Sequence, residues 1–237
     1  MGAEQHYAAA LALHERRVRS GWRPLGRKIG FTNRSIWPRY GVYEPIWGMV
    51  YDRSVVQAVN QQAALSLAGL EQPRIEPEIC FRLSAAPRSA RPSDLLESIE
   101  WMAHSIEIVQ CDQPDWKTSL EHSIQANGLH GRLIVGAPVP LHGIAGIEGK
   151  LQRFELLLKK GDIAVERGTG EAVLGSPLAA LGYLVELLAK HPEAPPLAAG
   201  ELVSTGTLTD AHPVAPGETW RTEIQGLPLA GLEVRFE

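Results

Sequence analysis

The sequence predicts a single α+β domain, residues 1–237, with an extensive β core and peripheral helices. The apolar segments are mostly short and separated by turns rich in Gly and Pro, which is typical of strands. The few helical segments do not alternate regularly with these strands, so a doubly wound parallel sheet is disfavoured. The 237 residues show no break in composition, and a chain of this length can form one large domain.

The first part of the chain is predicted to form a helix, a strand and a long loop. Residues 3–19 are rich in Ala and Leu and precede Ser20-Gly21, a pattern typical of a helix and its end. We expect residues 1–24 to pack on the domain as a helical segment, followed by a strand at 25–31. Residues 32–48 carry four aromatic residues, two Pro and two Gly. This composition indicates a loop that either binds a ligand or is held to the core by its rings.

Capping and turn signals place the remaining elements. Asp94 is predicted to cap a helix, because a Glu follows three residues later, and Lys160-Gly161 between two apolar runs indicates a hairpin. Ser176 before Pro is typical of the first residues of a helix. The predicted strands lie at residues 49–59, 65–70, 76–83, around Glu107, 133–135, 154–158, 162–165, 202–204, 219–224 and 232–236, and the predicted helices lie at 94–101, at 114–127 and from residue 176.

Composition and charge argue against several kinds of partner. The net charge is −4 and no segment is densely basic, so no nucleic-acid partner is expected. Cys80 and Cys111 lie in predicted strands, which indicates buried reduced thiols in the cytoplasm and not a disulfide framework. Residues 3–20 lack the apolar core of a signal peptide, and no uninterrupted apolar stretch approaches the length of a membrane span. We therefore expect a cytoplasmic protein with no membrane partner.

Three carboxylates are the most informative feature of the chain. Glu76 and Glu78 would project from one face of an extended strand, because side chains at i and i+2 point the same way. Glu107 lies in the apolar run 106–109, where an unpaired carboxylate is costly. A hard divalent cation such as Mg²⁺ would remove the repulsion among the three and prefers oxygen ligands. Spacing alone also allows a solvated strand face for the pair and an edge-strand charge for Glu107.

Several short motifs occur in an order that resembles a known family. They are GRKIGFT at residues 26–32, EPE at 76–78, IEI at 106–108, GSPL at 175–178, STGTLT at 204–209 and VAPGE at 214–218. From about residue 8 to its end the chain resembles the 2-keto-4-pentenoate hydratases of the fumarylacetoacetate hydrolase superfamily. The resemblance implies the mixed β-roll or β-sandwich core of that superfamily's C-terminal domain. It also implies Mg²⁺ or Mn²⁺ held by Glu76, Glu78 and Glu107.

The resemblance also suggests roles for five other residues. Lys28 matches the active-site lysine, which would pair with a substrate carboxylate or transfer a proton if its pKa is lowered. Asp52 matches an acidic position, and Thr207 and Thr209 lie in a loop able to donate hydrogen bonds to a carboxylate. His130 stands where the family has a substrate-facing hydroxyl and is a candidate general acid or base. For each of these residues a purely structural role is the alternative, such as a solvated lysine, a capped turn or a loop histidine.

The function implied is a metal-dependent hydratase, a lyase that adds water to a 2-hydroxy-dienoic (2-oxo-alkenoic) acid in aromatic meta-cleavage catabolism. The C–C hydrolases of the superfamily usually place an Asp at the third ligand position, whereas Glu107 resembles the hydratase and decarboxylase branch. A 2-oxo acid decarboxylase of the 4-oxalocrotonate type, or a C–C bond hydrolase, is the alternative. A non-catalytic partner subunit is a third reading. The family also implies a homodimer or a higher homo-oligomer.

Overall fold

The computed structural model describes residues 3–237 and contains two β-sheets with helices around them. The helices are α1 (Ala3–Arg19), α2 (Trp37–Tyr40), α3 (Pro92–Ser98), α4 (Leu120–Gln125), α5 (Ile147–Arg153) and α6 (Pro177–Ala189). The strands are β1 (Pro24–Gly30), β2 (Ile46–Tyr51), β3 (Val55–Gln57), β4 (Gln62–Leu65), β5 (Arg74–Leu83), β6 (Ile99–Val109), β7 (His130–Val135), β8 (Val139–Pro140), β9 (Glu155–Lys160), β10 (Ile163–Thr169), β11 (Leu202–Ser204), β12 (His212–Pro213), β13 (Thr219–Gln225) and β14 (Glu233–Phe236).

The first sheet is mixed and carries the long central strands of the fold. Its strand order is β2-β1-β11-β5-β6-β7-β3, with β12 paired to β5 and β8 paired to β6. The pairs β1–β11 and β3–β7 are parallel, and the other neighbours are antiparallel. The α+β prediction with an extensive β core is confirmed.

The second sheet packs on the first through a shared apolar core. Its strand order is β10-β9-β13-β14-β4, and the predicted hairpin is the antiparallel pair β9–β10. Leu158 and Phe236 from this sheet belong to the same buried cluster as Ile75 and Ile79 from the first. Burial of such side chains is the main favourable term in folding, so the apolar face of β5 is committed to this core and its other face is left for the polar residues.

His104 on β6 joins the two sheets by hydrogen bonds. Its Nδ1 lies 2.9 Å from the Glu78 carbonyl oxygen, and its Nε2 lies 2.8 Å from Oγ1 of Thr222 on β13. Burial lowers the pKa of His104 to about 4, although the Glu78 carbonyl acts in the opposite direction. The ring is therefore neutral near pH 7. A carbonyl can only accept, so Nδ1 donates to Glu78 and Nε2 accepts from the Thr222 hydroxyl.

Two element predictions were wrong for local reasons, and one helix was missed. The predicted strand 49–59 is interrupted by a turn at Asp52–Ser54, because β2 and β3 lie at opposite ends of the first sheet. The predicted strand 65–70 is a turn, and β4 ends where its pairing with β14 ends. The sequence analysis missed α5, whose seven residues include a Gly in the helix interior, and Gly lowers helix propensity.

One segment of the chain passes a length-and-composition test for a membrane span, although Glu171 and Glu186 interrupt it. Residues Gly170–Ala189 are long and apolar enough, by length and composition alone, to cross a membrane. Leu178, Leu181 and Leu184 in this segment are buried in the core of the protein. Burial of these side chains in the core explains the apolar composition of the segment, as is usual for a core helix.

Candidate active site

The antiparallel register of β5 and β6 brings the three predicted glutamates together. Glu76 lies directly opposite Glu107, and Glu78 follows two residues along the same face of β5. Side chains of directly opposed residues in an antiparallel pair lie on the same face of the sheet. One ligand oxygen from each glutamate lies within 4.8 Å of the others. Glu78 and Glu107 are fully buried, and Glu76 is partly exposed where it lines a cavity.

Each of the two buried glutamates has one oxygen held by the protein and one that accepts no hydrogen bond. Glu78 Oε2 accepts from Ser204 Oγ at 2.5 Å and from the Gly206 amide at 2.9 Å. Glu107 Oε1 lies 2.7 Å from His130 Nδ1. Glu78 Oε1 and Glu107 Oε2 are buried without a hydrogen-bond partner among the described residues. Unsatisfied buried oxygens are rare, and an all-oxygen set of this kind fits Mg²⁺ or Mn²⁺.

The charges in this group shift one another's protonation. Burial raises the pKa of Glu78 well above its usual value, and the charges of Glu107 and Glu76 add to this. Burial also raises the pKa of Glu76, to about 7, against the attraction of Lys28. Burial acts in the same direction on Glu107, but Lys28 and His130 outweigh it and hold that pKa below its usual value. Glu107 is therefore the carboxylate of this group that most readily carries the negative charge.

Lys28 on β1 lies against the carboxylates and is almost fully buried. Its Nζ donates to the Gly128 carbonyl oxygen at 2.9 Å and lies 3.3 Å from Glu107 Oε2. Burial acts to lower the pKa of Lys28, but Glu107, Glu76 and Glu78 together raise it above its usual value. Among these three carboxylates the pKa of Lys28 is therefore raised and not lowered, which favours the ammonium form.

A strained turn holds the carbonyl that Lys28 binds. Asn127, Gly128 and Leu129 have φ values of 59°, 65° and 60°, a left-handed conformation that is costly for residues other than Gly. The Asn127 side chain compensates, because it accepts from the Met49 amide at 2.7 Å and donates to the Met49 carbonyl at 2.9 Å. A Cβ at Gly128 would come within 2.9 Å of Lys28 Cδ. The sequence analysis placed Asn127 at the end of a predicted helix and did not foresee this turn.

Ser54 is a site residue that sequence analysis missed. It ends the turn after β2, and its Oγ lies 2.8 Å from His130 Nε2. Ser54 Oγ also donates to the Tyr51 carbonyl at 3.0 Å or accepts from the Tyr51 amide at 3.2 Å. The contact joins residues 76 positions apart, and a lone serine in a turn gives no signal of it.

The other predicted site residues divide into one that reaches the cavity and two that do not. Thr207 lines the cavity, and its hydroxyl donates to the Thr209 carbonyl at 2.8 Å. Thr209 is buried and donates to the Asp210 carbonyl. The Asp52 carboxylate accepts from both the backbone amide and Nε of Arg23, each at 3.0 Å. Neither Asp52 nor Thr209 is among the residues that line the cavity, so the structure brings neither side chain to the carboxylates.

The cavity beyond Lys28 and Glu76 has mostly apolar walls and one further cation. Arg74 precedes Glu76 by two residues on β5, and its guanidinium carbon lies 4.3 Å from the centre of the Trp116 ring. A guanidinium over an aromatic face is attracted by the ring. The apolar lining residues are Ile29, Phe31, Ile46, Val109, Trp116, Leu129 and Ala211.

The model of the fumarylacetoacetate hydrolase C-terminal family matches residues 44–235. The chain belongs to this family. Among relatives within the fumarylacetoacetate hydrolase family, a 4-oxalocrotonate decarboxylase from a Pseudomonas species is 34% identical over 89% of this chain and 78% of its own length. A 2-keto-4-pentenoate hydratase from Paraburkholderia xenovorans is 28% identical over 100% of this chain and 85% of its own length.

A solved structure of the same family agrees closely with this fold. The 4-oxalocrotonate decarboxylase from Pseudomonas putida G7, complexed with magnesium and adipate, superposes with a TM-score of 0.89 at 27% sequence identity. The alignment covers 100% of this chain and 87% of that one. The predicted fold type of the fumarylacetoacetate hydrolase family is confirmed.

Replacement of Glu78 by Gln is expected to weaken Mn²⁺ binding by more than about 100-fold, because even partners that only orient a metal ligand contribute about 10–100-fold. The amide oxygen can still accept from Ser204 and Gly206, so the amide nitrogen replaces the unpartnered oxygen and the fold is kept. Calorimetric titration with Mn²⁺ measures the change. Glu100→Gln, at an exposed position on β6, is the matched control. Unchanged affinity in Glu78→Gln would remove this residue from the site.

Apparent Mn²⁺ affinity is expected to rise with pH through the pKa of Glu76. That pKa is about 7, so below it a proton occupies the group and competes with the cation, whereas above it the carboxylate is free to bind. Titrations at pH values on both sides of 7, in two buffers of different ionisation enthalpy, measure the affinity and the protons released. An affinity independent of pH, with no proton release, would contradict the prediction.

Proposed function

We propose that this protein is a metal-dependent hydratase that adds water to a 2-hydroxy-dienoic acid, a reaction of aromatic meta-cleavage catabolism. The observation that carries the proposal is a group of three glutamates, two of them with an oxygen that accepts no hydrogen bond, beside the buried Lys28 side chain in a mostly apolar cavity. Hydratases named for 2-keto-4-pentenoate and for 2-hydroxyhexa-2,4-dienoate are among its relatives. A 2-oxo acid has a carboxylate that can pair with Lys28, an adjacent oxygen that can bind a cation held by the glutamates, and an apolar tail that suits the cavity.

Mg²⁺ or Mn²⁺ is the proposed cofactor, held by Glu76, Glu78 and Glu107. When bound, such an ion supplies Lewis-acid stabilisation to the negative charge that develops at the C2 oxygen of the substrate. The oxygens of Glu78 and Glu107 are held by neighbouring donors before any ion arrives. Preorganised donors of this kind need little rearrangement during the reaction.

Lys28 is proposed to hold the substrate carboxylate. The neighbouring carboxylates favour its charged form by raising its pKa, and the Gly128 carbonyl and Glu107 fix its direction. An ammonium in a buried site attracts a carboxylate more strongly than it would in water. Thr207 lies on the wall of the same cavity, but its proton is engaged by the Thr209 carbonyl, so any role in binding would fall to its hydroxyl oxygen as an acceptor.

The apolar wall is proposed to receive the diene tail. Ile29, Ile46 and Leu129 line the cavity together with Lys28, and burial of the tail against them would contribute about 25 cal/mol for each Å² of apolar surface removed from water. The wall also keeps bulk water from the reacting carbons, so the hydration step would draw on water admitted with the substrate.

Decarboxylation of a dicarboxylic 2-oxo acid is the second candidate function. Arg74 favours it, because this side chain lies on the cavity wall two residues before Glu76, and a cation there could receive a second carboxylate. A decarboxylase is also among the relatives above 30% identity. Lys28 and the three glutamates would act at the first carboxylate in either reaction, so the second candidate differs only in what receives the rest of the substrate.

Product identification separates the two functions. The enzyme is supplied with Mg²⁺ and either 2-hydroxypenta-2,4-dienoate or 4-oxalocrotonate, and products are identified by NMR. A hydratase converts the dienoate to its 4-hydroxy-2-oxo product, whereas a decarboxylase releases carbon dioxide from 4-oxalocrotonate. Loss of dienol absorbance is not sufficient, because ketonisation also removes it. Absence of turnover with both substrates would contradict the proposal and would favour the third reading, a non-catalytic partner subunit.

We further propose a cytoplasmic homodimer or higher homo-oligomer. Support comes from the family resemblance and from the two free cysteines, Cys80 and Cys111, which are buried and unpaired with each other. Reduced thiols are typical of the cytoplasm, and most soluble oligomers are symmetric assemblies of identical chains. A monomer by light scattering at micromolar concentration would contradict the assembly.

Replacement of Lys28 by Met is expected to lower kcat by at least about 100-fold, the scale of a positioned charged or proton-transfer group. Met keeps most of the side-chain length and removes the charge. Mn²⁺ binding is not expected to weaken, because the substitution removes a cation from beside the carboxylates. Steady-state kinetics and Mn²⁺ titration measure the two effects, with the exposed Lys150→Met as control. Turnover near that of the wild type would show that Lys28 is not part of the site.

A further inference from the structure

We infer that His130 is a positioning residue that directs one oxygen of Glu107 toward the metal position. Ser54 supports the His130 ring on the side opposite Glu107. The inference rests on the metal site of the proposed function. It replaces the general acid or base role expected from sequence, and it adds Ser54 to the residues on which the site depends.

Both nitrogens of the His130 ring are engaged within the protein. Nδ1 lies 2.7 Å from Glu107 Oε1, and Nε2 lies 2.8 Å from Ser54 Oγ. The His130 side chain is almost fully buried, and His130 is not among the residues that line the cavity. A general acid or base must come within hydrogen-bond reach of the substrate, and this ring instead lies between Glu107 and a turn.

The turn that carries Ser54 gives the ring a fixed support. Ser54 Oγ lies 3.0 Å from the Tyr51 carbonyl oxygen and 3.2 Å from the Tyr51 amide nitrogen. Ser54 directly precedes β3, His130 is the first residue of β7, and these two strands pair in parallel. The positions of both side chains are therefore set by the backbone of one sheet.

The contact with His130 gives the two oxygens of Glu107 different roles. Oε1 is occupied by His130, so Oε2 is the oxygen left near Lys28 and the other two glutamates. Glu78 shows the same division, because Ser204 and Gly206 occupy its Oε2 and leave Oε1 unpartnered. Each buried glutamate thus presents a single oxygen, which leaves the remaining positions around an ion for substrate and water.

Two substitutions of His130 separate positioning from acid–base chemistry. In His130→Asn the amide nitrogen takes the place of Nδ1 and can still donate to Glu107. In His130→Gln the amide extends to the place of Nε2, toward Ser54, and the donor to Glu107 is lost. Ser54→Ala removes the support behind the ring and leaves the ring itself. The exposed His142→Gln is the matched control.

Mn²⁺ affinity without substrate is the main readout, measured by calorimetry, with the electron paramagnetic resonance spectrum of the bound ion beside it. We expect His130→Gln to weaken Mn²⁺ binding by about 10–100-fold, the range for partners that orient a metal ligand. His130→Asn should recover the affinity, and Ser54→Ala should weaken it less than His130→Gln does. With substrate present, His130→Gln should raise KM more than it lowers kcat, because a misdirected Glu107 disturbs the positions that substrate oxygens need.

Two results would overturn the inference. One is wild-type Mn²⁺ affinity in His130→Gln, which with equal losses of kcat in both His130 variants would assign an acid–base role; the other is an affinity in His130→Asn, correctly folded, that is as weak as in His130→Gln. Thermal unfolding of the metal-free variants identifies any that fail to fold, and His130→Asn then still decides the question. Because the affinity is read without substrate, this test can fail while hydratase activity stands, and Glu78→Gln tests the metal site separately.

Discussion

The repulsion among three glutamates placed on one face of adjacent strands is the constraint around which this protein is organised. Two like charges a few ångströms apart in a poorly solvated site repel strongly, and burial adds a further cost. Four groups contact Glu78 and Glu107 and offset this cost: the Lys28 side chain, the His130 ring, the Ser204 hydroxyl and the Gly206 amide. These donors offset only part of the cost, since one oxygen of each buried glutamate is left without a hydrogen bond.

Sequence reasoning found the glutamates because their signal is local. The spacing of Glu76 and Glu78 fixes their common face, and the apolar run around Glu107 marks it as unusual. The partner of Asp52 could not be foreseen in this way, since its carboxylate is bound by Arg23, far along the chain. The link from Ser54 to the site depends equally on which strands pair at the end of the sheet, and single-sequence patterns do not specify that order.

The choice between hydratase and decarboxylase depends on the cavity walls and not on the glutamates. The part near the glutamates suits any 2-oxo acid, so its residues do not distinguish the two reactions. Most of the walls beyond are apolar, which suits an uncharged tail, but Arg74 stacks on Trp116 within the same lining. A few side chains on the wall can therefore change the reaction that a common set of glutamates and lysine supports, as is usual for functions built on one fold.

The neutral ring of His104 has a mechanical consequence for this site. By binding the Glu78 carbonyl on one side and Thr222 on the other, it prevents β5 from sliding against the second sheet. The strand that carries Glu76 and Glu78 is thereby tied to the second sheet, so we expect the paths by which small molecules enter and leave to open elsewhere. Wall segments outside β5 include those at residues 31–33 and 116–118. We expect the speed with which these loops move apart, a microsecond-to-millisecond process in many enzymes, to limit how fast product escapes.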